Sequence, residues 1–156
     1  MTRVALDSNV LIYAEVEPDT AKGRRAAEVI VAAAQDGVIP TQALGEFVRF
    51  IQRRFPAGMK GALAQVALYR TAFITPPTTD ELIAKAGELC STHGMQLWDG
   101  VMIHAASAAG ASVLLTEDML DGRLVAGLRL LNPFDPINDD EIGRLFWLRA
   151  NEDANG

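Results

Sequence analysis

Four carboxylates in this sequence could bind a divalent metal ion: Asp7, Glu46, Asp99 and Asp118. Each follows an apolar run or stands among apolar neighbours, and none has Lys or Arg at an adjacent position. An unpaired carboxylate is costly to bury in such surroundings. A hard cation such as Mg²⁺ compensates this charge, because it prefers oxygen ligands and keeps several of its waters. The sequence therefore predicts a Mg²⁺ site formed by the four acids.

Each acid also has a purely structural explanation. Asp7 could fix a turn through its side chain, Asp99 could cap a helix, and Glu46 could face solvent. The metal hypothesis depends on all four occurring together, at element ends or on apolar faces.

The elements that position these acids can be predicted from hydrophobic periodicity and capping residues. Short apolar runs predict strands at 4–6, 38–40, 112–115 and 129–131. Helical periodicity predicts helices at 9–14, 21–36, 41–54, 58–72, 79–93 and 99–109, and a terminal helix that residue 138 caps and that runs to 148. Short strands that alternate with helices predict an α/β fold with a short, mostly parallel sheet flanked by helices.

We expect one domain over residues 1–150, followed by a frayed tail at 151–156. The carboxyl ends of strands in an open α/β sheet form the ligand crevice, so Asp7 and Asp118 are expected to face each other there.

Several sequence motifs together resemble the PIN domain. They are LDSNVLIYA (6–14), Glu46 within TQALGEF (41–47), WDGVMIHAA (98–106) and LLTEDM (114–119). The closest likeness is to VapC-type toxins, and DGRLVAGLRLLNPF (121–134) resembles the ending of one of their subfamilies. The resemblance extends from Val4 to Phe134.

The resemblance implies roles for individual residues. The acids at 7, 46, 99 and 118 match the family's acidic quartet, which binds one or two Mg²⁺ or Mn²⁺ ions. Asn9 and Thr116 match polar positions that orient the carboxylates or metal-bound water. Glu117 and Asp121 could supplement the site, but solvated loop positions are favoured for both.

The resemblance also implies a function. The chain would be a metal-dependent endoribonuclease, a hydrolase that cleaves RNA phosphodiester bonds with a water molecule that the metal activates. It would be the toxin of a type II toxin–antitoxin system, often dimeric and silenced by a co-encoded antitoxin. The alternatives are a solitary PIN nuclease in RNA maturation and a catalytically silent PIN-fold binding module. A phosphatase is disfavoured, because that chemistry generally needs an acid at position 9, where this chain has Asn.

The net charge of −6 argues at first against a nucleic-acid partner, but its distribution argues the other way. Residues 47–79 contain no acid and five basic residues, of which Arg49, Arg53 and Arg54 are candidate RNA contacts. The resemblance places antitoxin binding in the same segment, which is predicted to form two helices around Phe55 and Pro56. A single cysteine and a longest strongly apolar run of six residues, Val29–Ala34, favour a cytoplasmic protein without a membrane span.

Overall fold

In the part of the chain that the structure describes, four strands form one sheet, and Asp7 and Asp118 follow the first two of them. The computed structural model describes residues 2–155, with the side chains of all of these except 149, 152, 153 and 155. The strands are β1 (Arg3–Leu6), β2 (Ala111–Leu115), β3 (Leu124–Val125) and β4 (Leu128–Leu131), in the spatial order β1-β2-β4-β3. The β1–β2 and β2–β4 pairs are parallel, and β3–β4 is antiparallel. The predicted α/β class with a mostly parallel sheet is confirmed.

Helices flank this sheet. In the described residues they are α1 (Ser8–Val16), α2 (Ala21–Ala33), α3 (Thr41–Arg54), α4 (Met59–Ala72), α5 (Asp80–His93), α6 (Leu97–Ala108) and α7 (Asp139–Asn155). Short 3₁₀ turns lie before α4 and α7, at Pro56–Gly58 and Pro136–Asn138. The predicted bounds of α3 are confirmed, and most other boundaries differ by one or two residues. No helix in the described part of the chain is long and apolar enough to cross a bilayer.

The strand predicted at 38–40 is wrong. Only Val38 pairs, through isolated parallel bridges to Ala5 and Ile74. Pro40 has no N–H to donate to a ladder, and it already serves as the N-cap of α3. The segment therefore touches the edge of the sheet at one residue and then enters the helix.

Strand β3 was not predicted, because its two residues are too few to show alternation. It forms a hairpin with β4 through Ala126 and Gly127, which have φ of 51° and 76°. Positive φ at both central residues is typical of the two-residue hairpin turn that matches the twist of the strands. Glycine suits the second position, and Ala126 adopts a backbone conformation that L-residues rarely take.

Two helix ends differ from the prediction. Helix α2 ends at Ala33, before the predicted end at Asp36, since Gln35 takes a φ of 84° and donates its N–H to the carbonyl of Ala72. Helix α7 continues to Asn155, past the predicted end at 148. The domain boundary at 150 stays a prediction.

Half of the residues of helix α6 are buried. Apolar residues on several of its sides are buried, including Val101, Met102 and Ile103. It packs against α5 at Gly100, where an added Cβ would lie 3.2 Å from the Cβ of Ala86. This close approach holds the first turn of α6 against the neighbouring helix.

Candidate active site

The pairing of two parallel strands brings the first and last acids to the same edge of the sheet. Asp7 comes directly after β1, and Asp118 lies in the loop after β2. Leu6 pairs in register with Leu115. The backbone N–H of Asp7 continues this ladder by donating to the carbonyl of Leu115 at 3.1 Å. The chain segments that leave the two strands therefore start side by side.

Asp7 lies at the centre of a hydrogen-bond network, and its side chain is buried. Asp7 is 5% exposed. The Thr116 hydroxyl donates to Oδ2 at 2.7 Å, and the Ser8 backbone N–H donates to Oδ1 at 2.6 Å. The amide nitrogen of Asn9 lies 3.5 Å from Asp7 Oδ2 and 3.3 Å from Asp118 Oδ2. Asn9 therefore spans the two acids, and Thr116 orients one carboxylate oxygen.

Burial makes the charged form of Asp7 unfavourable. The pKa of this carboxyl is raised from its ordinary value of 3.8 to about 6, mainly by burial. The hydrogen bonds from Thr116 and Ser8 act against this rise, and the neighbouring charges of Glu46 and Asp118 add to it. Asp7 also occupies the N-cap position of α1, which agrees with a structural role for its side chain. A capping residue alone, however, does not need a second buried hydrogen-bond donor or two nearby acids.

Glu46 is linked to Asp7 by a serine that the sequence analysis did not single out. The Ser8 hydroxyl donates to Glu46 Oε2 at 2.6 Å, and its oxygen lies 3.3 Å from Asp7 Oδ1. Gln42 donates to the other oxygen, Glu46 Oε1, at 2.8 Å. Gln42 precedes Glu46 by one helical turn, so the i, i+4 spacing on α3 could have indicated this contact. Glu46 is half-buried and hydrogen-bonded rather than freely solvated.

Asp99 approaches the same acids from α6. It lies in the first turn of the helix, whose N-cap is Gln96, so the capping explanation for Asp99 is wrong. The pKa of Asp99 is raised by partial burial first, and then by the charges of Glu46 and Asp118. These four acids are therefore close enough to repel one another.

The carboxylates are near each other without forming a closed cage. Among the described residues, no three His, Cys, Asp or Glu side chains are arranged as a ready-made metal site. In the same part of the chain, none of the four acids forms an ion pair with Lys or Arg. Among the described residues, only hydroxyl and amide groups offset the charge of buried Asp7. The carboxylate oxygens of the four acids are ligands that suit a hard cation.

Glu117 is not the solvated residue that the sequence analysis favoured. Its carboxylate accepts from the Tyr13 hydroxyl at 2.5 Å and pairs with the Lys22 ammonium at 2.5 Å. Partial burial alone would raise the pKa of Glu117, but the hydrogen bonds from Lys22 and Tyr13 outweigh it and lower the pKa. The Lys22 ammonium also lies 4.6 Å from the centre of the Tyr13 ring. We call Tyr13, Lys22 and Glu117 the Glu117 clamp.

The Glu117 clamp holds the loop that carries Asp118. The Glu117 backbone N–H donates to Asn9 Oδ1 at 3.4 Å, while the Asn9 amide nitrogen contacts Asp118. Both sides of Asn9 are therefore tied to this loop. Lys22 and Tyr13 were missed by the sequence analysis because they lie on α2 and α1, far along the chain from Glu117.

Asp121 has a structural role in the same loop. It is exposed, but its Oδ1 accepts from the Asn132 backbone N–H at 2.8 Å and from the Asn138 side chain at 3.0 Å. These bonds fasten the loop before β3 to the segment after β4.

The three candidate RNA-binding arginines lie together beside Glu46. Arg49, Arg53 and Arg54 line a cavity of about 410 Å³, together with Ser8 and Glu46. We call these three arginines the arginine face. It is a basic surface directly next to the acids, as a polyanion that reaches the acids would require.

Three comparisons relate the chain to known proteins. The profile of the PIN domain matches residues 4–119. No curated protein matches the sequence.

The fold is similar to that of solved toxin structures. VapC20 of Mycobacterium tuberculosis, a sarcin-ricin loop cleaving toxin, has a TM-score of 0.62 and 18% identity, over 74% of this chain and 89% of that one. A toxin–antitoxin complex from Klebsiella pneumoniae has a TM-score of 0.62 and 14% identity, over 85% and 98%. VapBC2 of Rickettsia felis, bound to a DNA fragment from its promoter, has a TM-score of 0.60 and 16% identity, over 84% and 98%. At these identities the likeness concerns the fold.

The burial of Asp7 predicts a dependence of stability on pH in metal-free protein. The folded-state pKa of about 6 lies above the ordinary 3.8, so the folded state holds this proton more tightly than the unfolded chain. Below pH 3.8 the Asp7 carboxyl is protonated and does not lower the free energy of unfolding. The free energy of unfolding falls as the pH rises from there through about 6. The loss is about 3 kcal/mol at full ionisation. We expect Asp7→Asn to gain about that much relative to wild type between about pH 4 and about pH 7, in urea unfolding with EDTA.

Glu88→Gln is the control for this measurement, because Glu88 is an exposed acid on α5. Its stability relative to wild type should stay constant over the same pH range. A constant difference for Asp7→Asn as well would mean that burial does not raise the pKa of Asp7 in the folded protein.

The Glu117 clamp predicts a local effect of Lys22→Met. The ion pair is partly exposed, with side chains 38% and 23% accessible, so its loss should cost about 1 kcal/mol or less. Amide hydrogen exchange at 116–120 should accelerate by up to about 5-fold, while the global unfolding free energy changes little.

Lys85→Met removes a comparable ion pair, to Glu81 on α5, and serves as the control. It should leave exchange at 116–120 unchanged. Equal exchange in both variants would show that the ion pair does not hold the loop.

Proposed function

Since the chain belongs to the PIN-domain family, whose profile matches residues 4–119, we propose that it is a metal-dependent endoribonuclease and the toxin of a type II toxin–antitoxin pair. The observation that carries the proposal is the buried carboxylate of Asp7, which has no basic partner among the described residues. The Ser8 hydroxyl links it to Glu46, and the Asn9 amide links it to Asp118. Such an arrangement stores negative charge that a cation would neutralise.

The residues that would hold Mg²⁺ or Mn²⁺ are Asp7, Glu46, Asp99 and Asp118. Their donor atoms are all carboxylate oxygens, which suit either ion. When bound, the ion would polarise the scissile phosphate and promote attack by water.

Hydrogen bonds from neighbouring residues hold the carboxylates of Asp7 and Glu46 in position. Thr116 and the Ser8 backbone fix the two oxygens of Asp7, so the carboxylate cannot rotate freely. Gln42 and the Ser8 hydroxyl do the same for Glu46. Ligands held in place lose less entropy when a cation binds, and outer hydrogen bonds of this kind tune metal affinity.

The substrate is a nucleic-acid backbone, and we propose that it is RNA. The arginine face supplies positive charge next to the acids in a protein whose net charge is −6. The likeness to VapC20, which cleaves the sarcin-ricin loop, favours RNA over DNA. On this proposal Arg49, Arg53 and Arg54 bind phosphates that flank the cut.

An antitoxin would reach the acids through a cavity of about 480 Å³ that adjoins the arginine-lined one. Its apolar lining includes Ile12, Phe50 and Phe55, and it also reaches Asp118. The rings of Phe50 and Phe55 are 6.2 Å apart, and Phe55 is 48% exposed. Structures of similar fold include toxin–antitoxin complexes. We propose that an antitoxin segment binds this cavity and places an Arg or Lys beside the acids, which would exclude the metal.

The homodimer and the cytoplasmic location are parts of the same proposal. A solitary nuclease without an antitoxin differs from it only in the partner, and a silent binding module differs in lacking cleavage. The two experiments that follow separate these alternatives.

The first experiment tests the chemistry. Asp7→Asn or Asp99→Asn should lower RNA cleavage by at least ~100-fold with the fold intact, because each removes a charged ligand. Purified protein is incubated with total RNA with Mg²⁺, with Mn²⁺ or with EDTA, and the new 5′ ends are mapped. EDTA should abolish the cuts, and Glu88→Gln should cut as wild type does. Equal cleavage by wild type and both acid variants would remove these acids from the site.

The second experiment tests the partner. Purification from the native operon should yield a small bound protein, and Phe55→Asp should weaken its binding by at least ~10-fold because an apolar anchor becomes charged. Val31→Asp is the matched control, since Val31 is 77% exposed on α2. If wild type brings down no small protein, or if Phe55→Asp retains it, this antitoxin site is wrong.

A further inference from the structure

A third cavity adjoins the acids and shares no lining residue with the arginine-lined cavity. It has a volume of about 260 Å³ and is lined by Asp99 and Asp118 together with largely apolar residues. Met95, Met119 and Val125 are among these. The cavity is thus continuous with two of the four acids and differs in character from the arginine-lined one.

Two chain segments build its walls, and each segment carries one acid. Helix α5 ends at His93, and Gly94 turns the chain with a φ of 67° before α6 begins. Asp99 follows in the first turn of α6. The opposite wall is the loop after β2, which contains Asp118 and Met119, and the β3–β4 hairpin closes the cavity behind it.

The charge, lining and volume of the cavity indicate which chemical group it can bind. Two carboxylates at its edge disfavour an anionic group inside it, so a phosphate fits the arginine face better. Thioether and aliphatic side chains favour the faces of an aromatic ring. The volume lies below the roughly 300–1,000 Å³ that is typical of sites for drug-sized ligands, so a single ring system fits better than a whole nucleotide.

Polar groups at the rim can contact the edge of such a ring. Gln96 is exposed, and although it occupies the N-cap position of α6, its side chain makes no capping hydrogen bond. An amide in this position can donate to and accept from a base edge. His93 adds a second polar group at the rim.

We propose that this cavity is a base pocket, which holds one unstacked nucleobase of the RNA next to the scissile phosphate and selects which base stands there. The inference rests on the proposed nuclease function. It divides the substrate between two surfaces, with the phosphates on the arginine face and one base in the base pocket. The acids lie between the two.

The test measures base preference by binding, so that it does not depend on cleavage. RNA 20-mers with four randomised central positions are selected on Asp7→Asn protein, which keeps the base pocket, and the bound RNA is sequenced. We expect a preference at one position. Met119→Ala in the same protein should relax this preference by about 10-fold, since it removes contacts with the ring. Gln96→Glu should change which base is preferred, because it replaces the amide donor with an acceptor.

Arg49→Ala is the matched comparison. It should weaken binding of all sequences alike and reduce the salt dependence, with the base preference unchanged, since a phosphate contact carries no sequence information. Gln96 is exposed, so its variant should keep the thermal stability of the parent, and this is checked by melting.

Binding without a base preference, or a preference that neither Met119→Ala nor Gln96→Glu alters, would overturn the base pocket. The base pocket is also wrong if these variants weaken only the capture of a protein partner, because the cavity would then hold a partner side chain. Cleavage by wild-type protein is measured separately. A failure to cut would count against the nuclease proposal, whereas the binding selection decides the base pocket.

Discussion

The parallel pairing of β1 with β2 is the constraint on which the site depends. Because Leu6 and Leu115 are in register, the chain leaves both strands at the same level, and Asp7 meets Thr116 within hydrogen-bond distance. A slip of one residue would turn each side chain to the opposite face of the sheet. The buried apolar residues of both strands prevent that slip. The core therefore sets the position of the first acid.

The placement of Asp7 opposes stability at neutral pH. A carboxylate with a raised pKa is ionised at a cost, and the nearby acids increase this cost. The hydrogen bonds from the Thr116 hydroxyl and the Ser8 backbone N–H offset part of it. Functional sites commonly concentrate such perturbed groups, and folds carry them because the rest of the core is stable enough. The negative charge that makes the acids repel one another is also the charge that would attract a cation.

The distribution of charge around the acids would allow an acidic protein to bind the nucleic acid that we propose as its substrate. The arginine face adjoins Glu46, while the base pocket adjoins Asp99 and Asp118. Long-range steering depends on such local fields more than on the sum of charges. The Glu117 clamp contributes to this order, because Lys22 neutralises the carboxylate that directly precedes Asp118 in the chain. Asp118 is thereby left as the acid of this loop that adjoins the cavities.

The sequence by itself determined the fold class and most of the helices, and it singled out four acids that the fold brings near one another. Helix α3 could be predicted to the residue, because its apolar period and the Phe55–Pro56 break are local signals. Local signals failed where long-range contacts decide. The segment 38–40 pairs with its neighbours only at Val38, because a helix begins after Pro40. Strand β3 forms because it pairs with β4.

Two further contacts near the acids were decided by the tertiary structure alone. Ser8 lies between two residues that the motif analysis named, yet its link to Glu46 joins positions far apart in the chain. The sequence favoured a solvated position for Glu117, but α1 and α2 place Tyr13 and Lys22 against it. Residue types and local spacing are encoded along the chain, so the sequence can indicate which chemistry is available. Which groups meet, and which charges are neutralised, depends on how distant segments pack, and no local pattern carries that information.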